Sequence, residues 1–215
     1  MEVGKCSMET PSHCVARRVS NIVRNLRLIS RLDVKAPNLV KGIQLEGLRK
    51  LGDPNEFARR YYKQGIDEIF YADIVASLYE RNSLLDIIEK TTDNIFVPIT
   101  VGGGLRSIDD VAAALRAGAD KVSINTAAIK NDKIITDIAR RFGSQCMVAC
   151  LDVRRHKDLE WEVVTHCGNN PTGKSASATA KVMESNGAGE IILNSIDQDG
   201  TMEGYDYELA SAVAE

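Results

Sequence analysis

The chain has 215 residues, 44% of them hydrophobic, and a formal net charge of −3; that suits a soluble globular protein with one sizeable core and excludes fibrous or disordered classes. The balanced charge offers no basic block for nucleic acid, and no apolar run approaches the roughly 20 residues needed to span a bilayer. Cys6, Cys14, Cys146, Cys150 and Cys167 are odd in number and lack C-x-x-C spacing, while His13, His156 and His166 are scattered. This favours reduced thiols in a cytosol over a disulfide frame and gives no metal site.

Residues 1–26 lack both strand alternation and a continuous apolar stripe, and they read as an N-terminal extension. No acid lies between Glu9 and Asp33, whereas Arg17, Arg18, Arg24 and Arg27 do, a bias shared with organellar transit peptides. The low serine content and the acids Glu2 and Glu9 favour an upstream extension without function, and the missing h-region excludes a secretory signal.

From Arg27 the chain alternates. Leu28 to Asp33 is predicted as the first strand, followed by a loop with Pro37 and Gly42. Asp53-Pro54-Asn55-Glu56 starts a helix, with Asp as cap and Pro at its first position. Ile69 to Asp73 is the second strand, and Asn82 or Ser83 caps the next helix. Phe96 to Val101 is the third strand and runs into Gly102-Gly103-Gly104. Glycines let the backbone turn sharply and approach an anion, and Ser107 with Asp110 resembles a capping box; a plain tight turn would take the same glycines. Val122 to Asn125 is the fourth strand and Cys146 to Asp152 the fifth. A loop rich in Gly and Asn follows, with a possible hairpin at Lys157, Glu160 and Trp161. A helix near Ser175 to Ser185, a sixth strand from Ile191 to Ser195 and a helix from Tyr207 complete the sequence.

Strands alternating with helices demand a mostly parallel α/β sheet, either doubly wound or a β/α barrel. An internal repeat favours the barrel. Gly65-Ile66-Asp67-Glu68, Gly118-Ala119-Asp120-Lys121 and Gly187-Ala188-Gly189-Glu190 precede the even strands, and Leu-Asp-Val recurs at Asp33 and Asp152, as in a TIM (β/α)8-type barrel of two half barrels. Eight units take about 250 residues, so only about six are expected here. Chemistry in such a fold gathers at the C-terminal strand ends, where Asp33 and Asp152 face each other as candidate acid and base. Gly103-Gly104 with Asn125-Thr126, and Asp199-Gly200-Thr201, are two anion-friendly loops that suit a substrate phosphorylated at both ends. Asp73 alone reads more simply as a loop cap. At the opposite mouth Arg27, Glu68, Lys121 and Glu190 each stand just before a strand, where they are either ordinary solvated ends or a ring about the axis.

LDVKAPNLVKG, TVGGGLRS, AGADKVSINTAA and SIDQDGT together resemble the cyclase subunit of imidazole glycerol phosphate synthase, a lyase of histidine biosynthesis, over residues 27–215. The resemblance implies that Asp33 and Asp152 are the catalytic acid and base. It puts Lys41 on a mobile loop over the site, and gives Gly103, Gly104, Asn125, Thr126, Asp199 and Gly200 to the two phosphates. It further implies that Arg27, Glu68, Lys121 and Glu190 gate ammonia arriving from a docked glutamine amidotransferase, and that no metal or organic cofactor takes part. The substrate would be a bisphosphorylated formimino ribonucleotide, closed and cleaved to imidazole glycerol phosphate and aminoimidazole carboxamide ribotide. Two departures stand out. Arg31 replaces the small residue usual beside the catalytic aspartate, and RLDVKAPNLVKGIQLEGLR looks like a subgroup associated with amidating surface-polysaccharide sugars. That subgroup makes an ammonia-delivering subunit the alternative function. The last two β/α units of the family, which carry much of the second phosphate site, are expected to be missing, with an inactive fragment as the further alternative.

Overall fold

The computed structural model describes residues 26–76 and 84–215. The predicted extension up to residue 25 and the predicted Asn82 or Ser83 cap lie outside the described residues. The strands are β1 (Ile29–Lys35), β2 (Asn38–Ile43), β3 (Glu46–Gly52), β4 (Glu68–Asp73), β5 (Ile99–Gly102), β6 (Lys121–Ile124), β7 (Met147–His156), β8 (Glu160–Thr165), β9 (Asn170–Ser175) and β10 (Glu190–Ser195). The helices are α1 (Pro54–Lys63), α2 (Leu85–Thr92), α3 (Ile108–Arg116), α4 (Thr126–Lys130), α5 (Lys133–Phe142), α6 (Ala176–Ser185) and α7 (Tyr207–Ala214).

Six strands pair in parallel in the order β1, β4, β5, β6, β7, β10, as the alternating sequence pattern predicts. No ladder joins β10 to β1 among the described residues, so the sheet is open. It nevertheless curls until its outermost parallel strands meet through side chains. Arg27, just before β1, reaches Glu190 at the start of β10 at 3.0 Å, and Lys41 on β2 reaches Asp199 beyond β10 at 2.6 Å.

Alternation along each strand sorts the side chains. One set (Leu32, Val34, Ile69, Tyr71, Ile99 and Val101) packs under α1 and α2. A second (Val122, Ile124, Met147, Ala149, Leu151 and Val153) packs under α3, α5, α6 and α7. The outward positions are apolar because helices cover them. The opposite set turns into a lumen that is not apolar, as the charged and polar residues Arg31, Asp33, Glu68, Thr100, Ser123 and Asp152 alternate with the outward positions.

Two helix starts follow the caps expected of them. Asp53 accepts from Asn55 N at 2.7 Å with Pro54 opening α1. Ser107 and Asp110 form a reciprocal capping box at α3, an arrangement that contributes on the order of 1 kcal/mol.

Three predicted boundaries are corrected. The loop with Pro37 and Gly42 is the hairpin β2–β3, whose second strand is exposed almost throughout and so shows no inward face to read. The Gly- and Asn-rich stretch after the fifth strand does hold the hairpin expected at Lys157, Glu160 and Trp161, as β7–β8, but extends it through β9 into an antiparallel ribbon; Pro171 sits in β9, which among the described residues has a partner on one side only, where a missing N–H is tolerated. The third strand begins at Ile99 rather than Phe96, because Pro98 interrupts and the Phe96 ring, 79% exposed, stacks edge-on with Tyr62.

Candidate active site

Asp33 and Asp152 leave β1 and β7 on the lumen side at the C-terminal ends of the sheet. Both oxygens of Asp33 are held by cations: Arg31 Nε donates to Oδ1 at 2.7 Å and Lys41 Nζ to Oδ2 at 3.0 Å. Burial opposes ionisation of this carboxyl, which is 5% exposed, but Arg31 and then Lys41 outweigh it and hold it below its ordinary range. Lys41 reaches across to Asp199 Oδ1 as well. Burial would weaken its charge, yet Asp33 and Asp199 together raise its affinity for the proton.

Asp152 has a different environment. Its oxygens accept from two neutral amides, Asn125 Nδ2 at 2.6 Å from the β6 end and Asn194 Nδ2 at 2.9 Å from β10. Burial pushes its carboxyl above the ordinary value, against the pull of Arg31 and the Asn194 hydrogen bond. Carboxylates whose environments push their proton affinities apart are suited to separate acid and base roles.

Beside the pair lies a cavity of about 720 Å³, lined by Arg31, Gly103, Gly104, Asn125, Thr126 and Asp152 among others. That volume suits a small ligand. Gly103 has φ +97°, and a Cβ there would run into the Asp73 backbone, so the loop after β5 passes too close to β4 for any other residue. Asn125 Oδ1 is buried without a hydrogen-bond partner among the described residues. Asp33, Lys41, Asp199 and Gly200 do not line the cavity. They form the adjoining clasp, in which the β2–β3 hairpin lies against the loop after β10: Gln44 N donates to Asp199 O at 2.8 Å, and a Cβ on Gly200 would meet the Gly42 backbone. Asp73 accepts from Val75 N at 3.1 Å, the contact of a loop cap.

At the other mouth the four charged residues close a ring. Arg27 bonds Glu68 at 3.1 Å and Glu190 at 3.0 Å, and Lys121 bonds the same two carboxylates at 2.8 and 2.9 Å. Thr100 Oγ1 adds 2.6 Å to Glu68, whose side chain is 2% exposed. Burial disfavours the Glu190 charge, but Arg27 and Lys121 hold its carboxyl below the usual value. Between ring and carboxylates sits a middle layer of Arg31, Phe70, Ser123 and Cys150. Burial, and Asp152 next, push the Cys150 thiol up to about 12, so it is an unreactive filler. Sequence reading did not place Asn194 in the site; only the register Asn194↔Asp152 on β10 and β7 reveals it.

The family profile described as "Histidine biosynthesis protein" matches residues 27–215. The chain is 56% identical over 190 residues to "Imidazole glycerol phosphate synthase subunit HisF" of Legionella pneumophila, covering 88% of this chain and 90% of that one. It is 51% identical over 189 residues to the protein of the same name in Myxococcus xanthus (strain DK1622), covering 88% and 74%. No helix among the described residues is long and apolar enough to cross a membrane.

Proposed function

The chain belongs to the histidine biosynthesis protein family, and on that premise we propose that it is a cyclase subunit of imidazole glycerol phosphate synthase, an ammonia-dependent lyase of the cytoplasm with its catalytic domain at 27–215 and an N-terminal extension at 1–26. Its paired carboxylates carry the acid and base work of closing and cleaving the formimino ribonucleotide. The observation that carries this reading is the pair itself: a buried, cation-bound Asp33 and a half-buried, amide-bound Asp152 on facing strands, beside a glycine-edged cavity. Gly103, Gly104, Asn125 and Thr126 hold one phosphate of the substrate. Asp199 and Gly200 serve the other once the Lys41 hairpin lifts from them, which also uncovers Asp33. Incubating the protein with the ribonucleotide and ammonium salts, and following loss of substrate absorbance, tests this directly; no loss above the uncatalysed rate sinks it.

The ring at the opposite mouth supports a glutaminase partner. Its charges are mutually satisfied, it rims the axis that leads to the carboxylates, and the similar proteins are both named as subunits. In this reading ammonia released by the partner enters through Arg27, Glu68, Lys121 and Glu190. With the partner present, Lys121→Ala should depress glutamine-driven turnover more than turnover with ammonium salts. Equal losses would remove the gate and leave the catalytic pair standing.

A further inference from the structure

Arg31 is the residue of this lumen that neither the family reading nor the ring explains. It stands on β1 one inward step below Asp33 and one above Ile29, which pairs with Glu68 of the ring. Across the register it faces Phe70, with its guanidinium 5.8 Å from that ring's centroid, a distance at which a cation gains from the aromatic face. Its side chain is 25% exposed, and it forms part of the cavity wall. The guanidinium thus lies in the middle layer, sandwiched between the aromatic of β4 and the carboxylate of its own strand.

We propose that Arg31 is a positioning residue for the reaction: by tying down Oδ1 of Asp33 from beneath, it keeps that residue as the standing base of the pair and leaves Asp152 as the member that carries the proton. This rests on the cyclase reading. The geometry favours it on two counts. The Nε contact at 2.7 Å uses a planar donor fixed by stacking, which an ammonium on a flexible stem would not reproduce. Asp152 receives hydrogen bonds only from amides among the described contacts, and those hold a carboxylic acid as well as a carboxylate once an amide turns.

The charged and titratable groups around Asp33 are accounted for on each neighbouring element. Arg31 comes from β1, Lys41 from β2, Asp199 from beyond β10 through Lys41, and Cys150 and Asp152 from β7. Lys41 is 40% exposed and shared with Asp199, so it leaves Asp33 whenever the hairpin lifts. Arg31 and Asp33 both stand on β1, outside the hairpin, so their contact would survive that movement.

The test is a carboxyl titration of the full chain carrying 13C-labelled aspartate, with the Asp33 signal assigned by its loss in Asp33→Asn. In the parent protein the Asp33 signal should stay ionised below the ordinary aspartate value of about 3.9. In Arg31→Ser it should titrate about one pH unit or more higher, a tenfold or greater gain in proton affinity, as expected when an adjacent guanidinium is removed. Arg31→Lys, which keeps the charge and loses the fork, should fall between. The acid limb of kcat/KM with ammonium salts should move up by the same interval, because protonating the base is what ends activity. A parent Asp33 that titrates at or above the ordinary value, or an unchanged position in Arg31→Lys and Arg31→Ser, overturns the proposal. If Arg31→Ser does not fold, the parent and Arg31→Lys titrations decide. If the titration shifts as stated while the parent turns over no ribonucleotide, the cyclase reading fails and the hold of Arg31 on Asp33 remains.

Discussion

The two mouths of the lumen use the same residue types to opposite effect. At the N-terminal mouth two cations and two carboxylates alternate, and every charge has two partners of opposite sign. At the C-terminal mouth, which Asp73, Arg106, Lys130 and Arg154 also border, the ion pairs of Arg31 and Lys41 go to Asp33 and Asp199. Asp152 is left with amides. A balanced network has no unmet demand and resists change; an unbalanced one leaves a group with a displaced proton affinity, which is what proton-transfer chemistry requires. The contrast supports the roles proposed above, a gate at the ring and proton transfer at the other mouth.

Breaking the unbalanced mouth should have the larger functional effect. Asp33→Asn and Asp152→Asn keep side-chain shape and remove the proton-transferring group, so each should lower turnover with ammonium salts by roughly 10²–10⁴-fold, with the secondary structure seen by circular dichroism unchanged. A loss confined to one of them would show that the pair does not share the chemistry.

Breaking the balanced mouth should show first in stability. Lys121→Ala removes one of the two cations on Glu68, whose side chain is 2% exposed and keeps Arg27 and Thr100 among the described residues. Leaving a buried charged acceptor short of a donor costs roughly 1–3 kcal/mol, read as a lower urea midpoint at unchanged slope. Lys121 itself is 12% exposed, which sets this ring apart from the solvent-exposed Arg155–Glu208 pair at 2.7 Å, where screening makes the charge contact a minor contributor. An unaltered midpoint would mean that water replaces Lys121 and that the ring is not a clasp.

The same contrast governs what the sequence discloses. The strands announce themselves through their outward apolar positions, and the charges at their starts fall at one level because the register is uniform, so the level of Glu68, Lys121 and Glu190 and the pairing of Asp33 with Asp152 in repeated Leu-Asp-Val are legible, while the closed ring of ion pairs shows only in the structure. The β2–β3 hairpin is not. Leu48 and Leu51 are 38% and 51% exposed, so no buried face imprints an alternation on that stretch. Arg31 is visible as a departure from a familiar motif, and alternation alone puts it on the same face as Asp33; its contact across the register with Phe70 is what no local pattern shows. Asn194 is hidden for the same reason: its role follows from cross-strand register, not from any local pattern.

The smallest expected effect is also the one that separates the mouths by sign. Glu190 has its carboxyl held low by Arg27 and Lys121 against the opposing effect of burial. It therefore contributes stability that is present above its unfolded value of about 4.3 and is lost as pH falls through the folded one. Asp152 is raised by burial. In the folded state its proton is held more tightly than in the unfolded chain, so its contribution is present below about 3.9 and is lost as pH rises through the folded value. The stability difference between the parent and Glu190→Gln should thus favour the parent at neutral pH and shrink toward acid. At a side chain 29% exposed, screening keeps that difference below about 1 kcal/mol. Between the parent and Asp152→Asn, the difference should move toward the variant as pH rises from acid to neutral. Urea midpoints collected from pH 3 to pH 7 for the three proteins would give slopes of opposite sign. Slopes of the same sign would mean that Asp152 is as well compensated as the ring, and the distinction between a balanced mouth and a reactive one would fail.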